Sequence, residues 1–213
     1  MGRMNTNGHK KTTRIQQRKE PKQERSILRL ETILKAARAL IAERGIHGMR
    51  MTDLAARAGV PIGSLYQFFP EKVAIIRALH DDLTSRVEGG TQRTFTGVAS
   101  LADASALIDR SIDSFYEAFR TDQTYLPIWM AALSDTDLQS LNQRHLGRLA
   151  EILETAFTPL LPPASTIDLK ARLALFVYLS GATVRHALMQ EPALARLLLD
   201  EWKTTVRKTL FVP

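Results

Sequence analysis

The sequence predicts an all-α protein of about nine helices, and three features of its patterning lead there. Apolar residues recur at three- and four-residue spacing almost continuously from Ser26 onward. No segment shows the apolar–polar alternation of a half-buried strand, and no repeat or low-complexity tract interrupts the pattern. Gly, Pro and short Asp/Ser sites cut the periodic run into helix-length pieces. The expected architecture is a small N-terminal three-helix unit followed by a larger helical domain.

Taken in order, residues 1–24 are expected to form a flexible basic arm. Arg3, Lys10, Lys11, Arg14, Arg18, Lys19, Lys22 and the adjoining Arg25 stand against Glu20 and Glu24, which puts six of the seven net positive charges there. With almost no apolar side chains, such a segment is expected to be disordered on its own. It reads either as a solvated tail or as a strand lying along nucleic-acid phosphates, and the charge favours the second. Helix 1 starts at Ser26, carries Ile27, Leu30, Ile33, Leu34, Ala37, Leu40 and Ile41 at helical spacing, and ends at Gly45.

Residues 49–72, MRMTDLAARAGVPIGSLYQFFPEK, read as two short helices joined by a tight turn. Leu54, Ala55 and Ala58 form the first apolar stripe, and Gly59 supplies the left-handed conformation that stops a helix cheaply. Val60 plugs the turn and Pro61 presets the backbone angle that restarts a helix. Leu65 and Phe69, four apart, turn the second helix inward. The opposite face then centres on Gly63, Ser64 and Gln67, flanked by Tyr66 and Phe68, at about 100° per residue. A thin polar helix face of this kind suits the major groove of DNA.

The string Ala55, Ala58-Gly59-Val60, Gly63-Ser64-Leu65-Tyr66, Phe69-Pro70 and Lys72 resembles the TetR/AcrR-type bacterial transcriptional regulators over about residues 25–80. The resemblance implies an all-α homodimer with a DNA-binding unit at 25–72 and an effector-binding and dimerisation domain at 73–213. It would place Ile62, Gly63 and Gln67 toward bases, and Ser64, Tyr66 and Lys72 toward phosphates. Chemistry supports part of this independently: Gln pairs bidentately with adenine, and Gly63 lets the backbone come close to the groove wall. Two positions depart from the family. Arg50 stands where a Thr or Ser usually caps helix 2, so either another group caps it or Arg50 contacts DNA, with Thr52 beside it. Phe68 replaces a residue with a polar handle, which removes one phosphate contact.

Helix 4 is expected over 71–88, loosened or ended by Gly89-Gly90, and links the two domains. Further helices are expected at 101–120, 125–132, 137–160, 166–189 and 192–211, with breaks at Asp122, Ser134-Asp135 and Pro162-Pro163. Phe115, Phe119, Trp129, Met130 and Tyr178 read as core packing or, following the resemblance, as walls of an apolar effector pocket. Arg185 and His186 read equally as ligand-orienting groups or as interface residues. Phe176, Gly181 and Val184 on the penultimate helix, with Leu198 and Trp202 on the last, are expected at a two-fold interface made by a four-helix bundle.

Composition bounds the rest. At 213 residues and 45% hydrophobic, the chain has ample core and no uncharged apolar run long enough to span a bilayer. Without cysteine there is neither a disulfide nor a thiolate metal site, and the five histidines are scattered, so neither metal nor cofactor is expected. No secretory signal is read, and a cytoplasmic location is expected. The predicted function is a ligand-released repressor binding palindromic double-stranded operator DNA. The rivals are an activating or ligand-independent DNA binder and a helical enzyme, against which stands the lack of any nucleophile–base pair or phosphate loop.

Overall fold

The computed structural model describes residues 20–212. Among these are nine α-helices, one 3-10 turn and no strand, as the periodicity predicts. Helix α1, Glu20–Gly48, begins ahead of Ser26, so residues 20–24 are helix backbone and not arm. The remainder of the basic arm, residues 1–19, lies outside the described residues. Gly45, at φ 67°, breaks the regular part of α1 where the sequence places its end.

Next come α2 (Met51–Ala58), α3 (Ile62–Phe68) and α4 (Lys72–Phe95). The expected end of α4 at Gly89-Gly90 is corrected: the helix runs straight through both glycines. Two mid-helix glycines cost roughly 1 kcal/mol each relative to Ala. Burial of Thr91 and Phe95 offsets this, with Phe95 edge-on to Phe157 at 5.4 Å.

The larger domain holds α5 (Leu101–Thr121), α6 (Tyr125–Ser134), α7 (Thr136–Phe157), the 3-10 turn Thr158–Leu160, α8 (Leu169–Leu188) and α9 (Pro192–Thr209). Its helix starts are set by side-chain caps. Ser100, Asp135 and Asp168 accept the backbone N–H of Asp103, Leu138 and Ala171 at 3.1, 2.9 and 3.0 Å. At the far end, Arg172 donates to the carbonyls of Thr209 at 2.6 Å and Leu210 at 3.3 Å, satisfying acceptors that the end of α9 leaves open.

Two apolar cores result, and their boundary does not follow the chain. One joins Ile33, Leu40, Leu54, Leu65 and Leu79 of α1–α4, and also takes in Ile128 and Ala132 of α6 and Leu138 of α7. The second gathers α5, α7, α8 and α9 around Phe157 and Leu173. Between them Leu83, Tyr125 and Trp129 form a bridge. A division at residue 72 therefore separates elements that share one core. No helix among the described residues is long and apolar enough to cross a membrane.

Candidate functional site

Helices α2 and α3 meet as the turn chemistry requires. Gly59 adopts φ 65°, its N–H reaches Ala56 O at 3.2 Å, and Val60 N–H reaches Ala55 O at 3.0 Å. Pro61 precedes the first residue of α3, and Leu65 and Phe69 are buried. Arg57 pairs with Glu43 at 2.7 Å and Arg44 with Asp53 at 3.0 Å, which clamps α2 onto α1. Arg50, Thr52, Ile62, Gly63, Tyr66 and Gln67 are exposed, and Ser64 is half-buried. Among the described residues no hydrogen bond or ion pair engages the side chains of Arg50, Thr52, Tyr66 or Gln67. Arg50 makes no capping bond to α2. Phe68 is half-buried against the N-terminal core, which is where its apolar ring is useful. Lys72 is already engaged: its ammonium donates to the carbonyls of Ile46 at 3.2 Å and Met49 at 3.4 Å, tying the start of α4 to the turn that carries Arg50.

The bridge between the cores lies against a narrow cavity of about 100 Å³. Leu83, Val87 and Phe95 of α4 wall it on one side, with Ile112, Phe115 and Phe119 of α5 on another. Tyr125 and Trp129 of α6, Leu149 of α7 and Phe176, Ser180 and Gly181 of α8 complete it. Its aromatic side is a ladder. Phe115 stacks with Phe119 at 5.9 Å, Phe119 on Tyr125 at 3.5 Å and Tyr125 on Trp129 at 5.9 Å. Burial pushes the Tyr125 phenol up to about 12, with Arg185 opposing the shift. Arg185 lies over the Trp129 ring at 4.9 Å, on the side that opens to a second, polar recess between α7 and α8.

Where α4 meets α6 and α7, a buried polar network abuts the cavity. His145 Nδ1 lies 2.6 Å from Glu88, whose carboxylate also accepts two 2.8 Å bonds from Arg148. Burial alone would raise the Glu88 carboxyl, but Arg148 and His145 bring it below its ordinary value. Burial lowers His145 against the pull of Glu88, and lowers the buried His80, whose ring nitrogens make no hydrogen bond and whose Nδ1 lies 3.8 Å from the opposing Asp81 carboxylate. Both imidazoles are thus held below 6.5, and the native state binds fewer protons than the unfolded chain on acidification. Stability should be intact above pH 6.5 and fall as the pH drops through it; the stabilisation from Glu88's pairing is lost only further down, as the pH falls from 4.5 through its lowered value. Thermal melts from pH 7.5 to 5.5 should show the decline, and His80→Leu should flatten it.

Comparison with known proteins adds the family. A family model described as "Bacterial regulatory proteins, tetR family" matches residues 33–79, and one described as "Tetracyclin repressor-like, C-terminal domain" matches 102–213. The chain belongs to the TetR family of bacterial regulatory proteins. It is a DNA-binding transcriptional regulator. Among its relatives is the HTH-type transcriptional regulator BetI of Serratia proteamaculans, 26% identical over 167 residues, covering 76% of this chain and 82% of that one. Among solved structures, SCO7518 of Streptomyces coelicolor A3(2) superposes with a TM-score of 0.68 at 21% identity, covering 87% of this chain and 99% of that one. FadR of Bacillus subtilis, solved in complex with stearoyl-CoA, superposes with a TM-score of 0.61 at 18% identity, covering 82% and 97%.

Set on this TetR fold, the expected pocket and interface residues sort differently from the sequence reading. Phe115, Phe119 and Trp129 line the cavity, Tyr178 and Arg185 border the outer recess, and Met130 and His186 do neither. Met130 is exposed on α6, and His186 lines a shallow groove between α8 and α9 with Leu198 and Trp202. Of the expected interface set, Val184 is 4% exposed, buried within its own chain, and Phe176 and Gly181 face the cavity. Trp202 stacks on Phe176 at 6.4 Å and donates to Ser180 Oγ at 3.0 Å, so part of its ring serves the α8–α9 contact. The outward apolar stripe is instead Leu175, Tyr178 and Met189 of α8 with Leu194 and Leu197 of α9. Helix α8 is apolar on both sides, and periodicity alone does not say which side the rest of the subunit covers.

Proposed function

We propose that this regulator is a cytoplasmic homodimeric repressor, without catalytic activity, released from a palindromic operator when a small molecule enters the α4–α8 cavity. The observation that carries the reading is the double duty of α6. Tyr125 and Trp129 are cavity wall, while Ile128 and Ala132, on the adjoining stripe of the same helix, belong to the core of the DNA-binding unit. Helix α4 is a second link, running from Lys72 beside the recognition helix to the cavity residues Leu83, Val87 and Phe95. A ligand that displaces Trp129 therefore strains the packing of α1 and α4 directly. If it binds better to the form in which two recognition helices are splayed, it shifts the population away from DNA by that difference in affinity. FadR's complex with stearoyl-CoA supports a ligand in the corresponding fold, and BetI supports the regulatory role.

On the DNA side, Gln67 and Gly63 are assigned to bases, with Ile62 beside them. Arg50, Thr52, Ser64 and Tyr66 are assigned to phosphates, and Lys72 to holding the Arg50 turn in place. Gln67→Ala should cost about 1–3 kcal/mol at one base pair per half-site and relax preference there. Tyr66→Phe should weaken every sequence alike, because phosphates carry no sequence information. Binding-site selection with both variants tests the assignment; a Gln67→Ala protein that loses all sequences equally would overturn it.

A further inference from the structure

The cavity and its outer recess meet at Trp129, which lines both, and at this junction the structure presents a buried donor without a partner and a cation without a counter-ion. The first is the indole N–H of Trp129, buried and making no hydrogen bond. The second is Arg185. Its half-buried guanidinium rests over the Trp129 ring at 4.9 Å and is lowered by burial, opposed only by a hydrogen bond to the neutral Tyr125 phenol and by the nearby Tyr178 phenol. No carboxylate among the described residues pairs with it, whereas Arg148, Lys203 and Arg207 are each paired with Glu88, Asp113 and Asp109. Gly181 makes room for this placement, since a Cβ there would lie 3.1 Å from Arg185 Nη1. A partly desolvated cation over a ring whose own N–H is buried and unbonded, with no carboxylate paired to the cation, forms an incomplete anion site.

We propose that the effector is an organic acid whose apolar body occupies the cavity and whose carboxylate is received at this junction by Arg185 and the Trp129 N–H. The body is set by the walls, which are mostly Phe, Leu, Ile and Val side chains, with His145 and the hydroxyls of Thr84, Thr91, Ser111 and Ser180 among them. The head is set by charge. Neither Asp nor Glu lines the cavity or the recess, and Glu88, behind the wall, is held by Arg148 and His145. A cationic ligand finds no counter-charge there, and the Trp129 face that would attract it already carries Arg185. The inference rests on the cavity being the effector site, so its test separates binding from release of DNA.

Three matched series serve as probes for the full-length protein: phenylacetate, 3-phenylpropanoate and decanoate, each with the alcohol and the amine of the same skeleton. Affinity is read by calorimetry, and operator binding by fluorescence anisotropy with each probe present. In at least one series the acid should bind about ten- to a hundredfold more tightly than its alcohol, with the amine weakest. Arg185→Gln should erase the acid's advantage and leave the alcohol's affinity in place. Trp129→Phe, which keeps a ring and removes the N–H, should reduce the advantage, and Arg185→Lys should retain part of it. If no acid exceeds its alcohol in any series, or if Arg185→Gln weakens acid and alcohol equally, the proposal is overturned. Arg185-dependent acid binding that leaves operator affinity unchanged would uphold the acid site and overturn the ligand-released reading instead.

Discussion

Leu197→Glu should run as a monomer and lose operator affinity by roughly 10²–10⁴-fold, because each subunit then engages one half-site alone. Leu197 is 64% exposed in the single chain, so the substitution removes no internal contact and should leave the subunit folded. It lies on α9 beside Leu194, and the outward residues of α8, Leu175, Tyr178 and Met189, add to an apolar surface that water disfavours. A two-fold partner covering that surface would bury the new carboxylate and its symmetry mate in one interface, at a cost of several kcal/mol. Val184, buried inside the subunit, offers the control: Val184→Ala should loosen the fold and leave the oligomeric state alone. Sedimentation reads the association, and footprinting of the wild type should show two half-sites about one helical turn apart. A Leu197→Glu protein that stays dimeric would move the interface elsewhere.

Ile128→Ala should cost about 2–5 kcal/mol, the range for emptying a fully buried aliphatic site. For a chain of this size that is roughly a 4–20 °C fall in the melting temperature. Ile128 has no exposed surface and packs in the core of the DNA-binding unit although it belongs to α6. The milder Ile128→Val removes one methyl group, costs about 0.5–1.5 kcal/mol and should keep the fold and the operator. Its informative effect lies in coupling. Because Trp129, the next residue, lines the cavity, a looser Ile128 contact should blunt the drop in operator affinity caused by an effector while leaving effector affinity nearly unchanged. Calorimetry and operator titrations on the same variant separate the two quantities. An Ile128→Val protein with the full wild-type response would show that α6 does not carry the signal.

The helix-turn-helix was legible residue by residue because its causes are local. Gly59 needs a left-handed backbone, Pro61 restarts the helix, and Leu65 and Phe69 turn inward, all within one short window. The breaks at Asp122, Ser134-Asp135 and Pro162-Pro163 were legible for the same reason, since capping and backbone restriction act over a few residues. Lys72 shows where locality ends. Its position beside a helix N-terminus suggested a phosphate, and its nearest acceptors are the carbonyls of Ile46 and Met49, far away in sequence and adjacent only after α4 packs on α1.

By itself, then, the sequence determined the all-α class, the helix-turn-helix, most of the helix breaks and the family. Tertiary structure alone decided which stripe of each helix is covered. It carried α4 through Gly89-Gly90, because burying Phe95 against Phe157 outweighs the glycines' poor helix propensity. It turned Val184 inward and Leu197 outward on helices that are apolar on more than one side. It also placed Ile128 in one core and Trp129 in the cavity wall. Helix formation draws on hydrogen bonds between residues four apart, whereas the choice of buried face depends on which distant helix arrives, and no local window contains that partner.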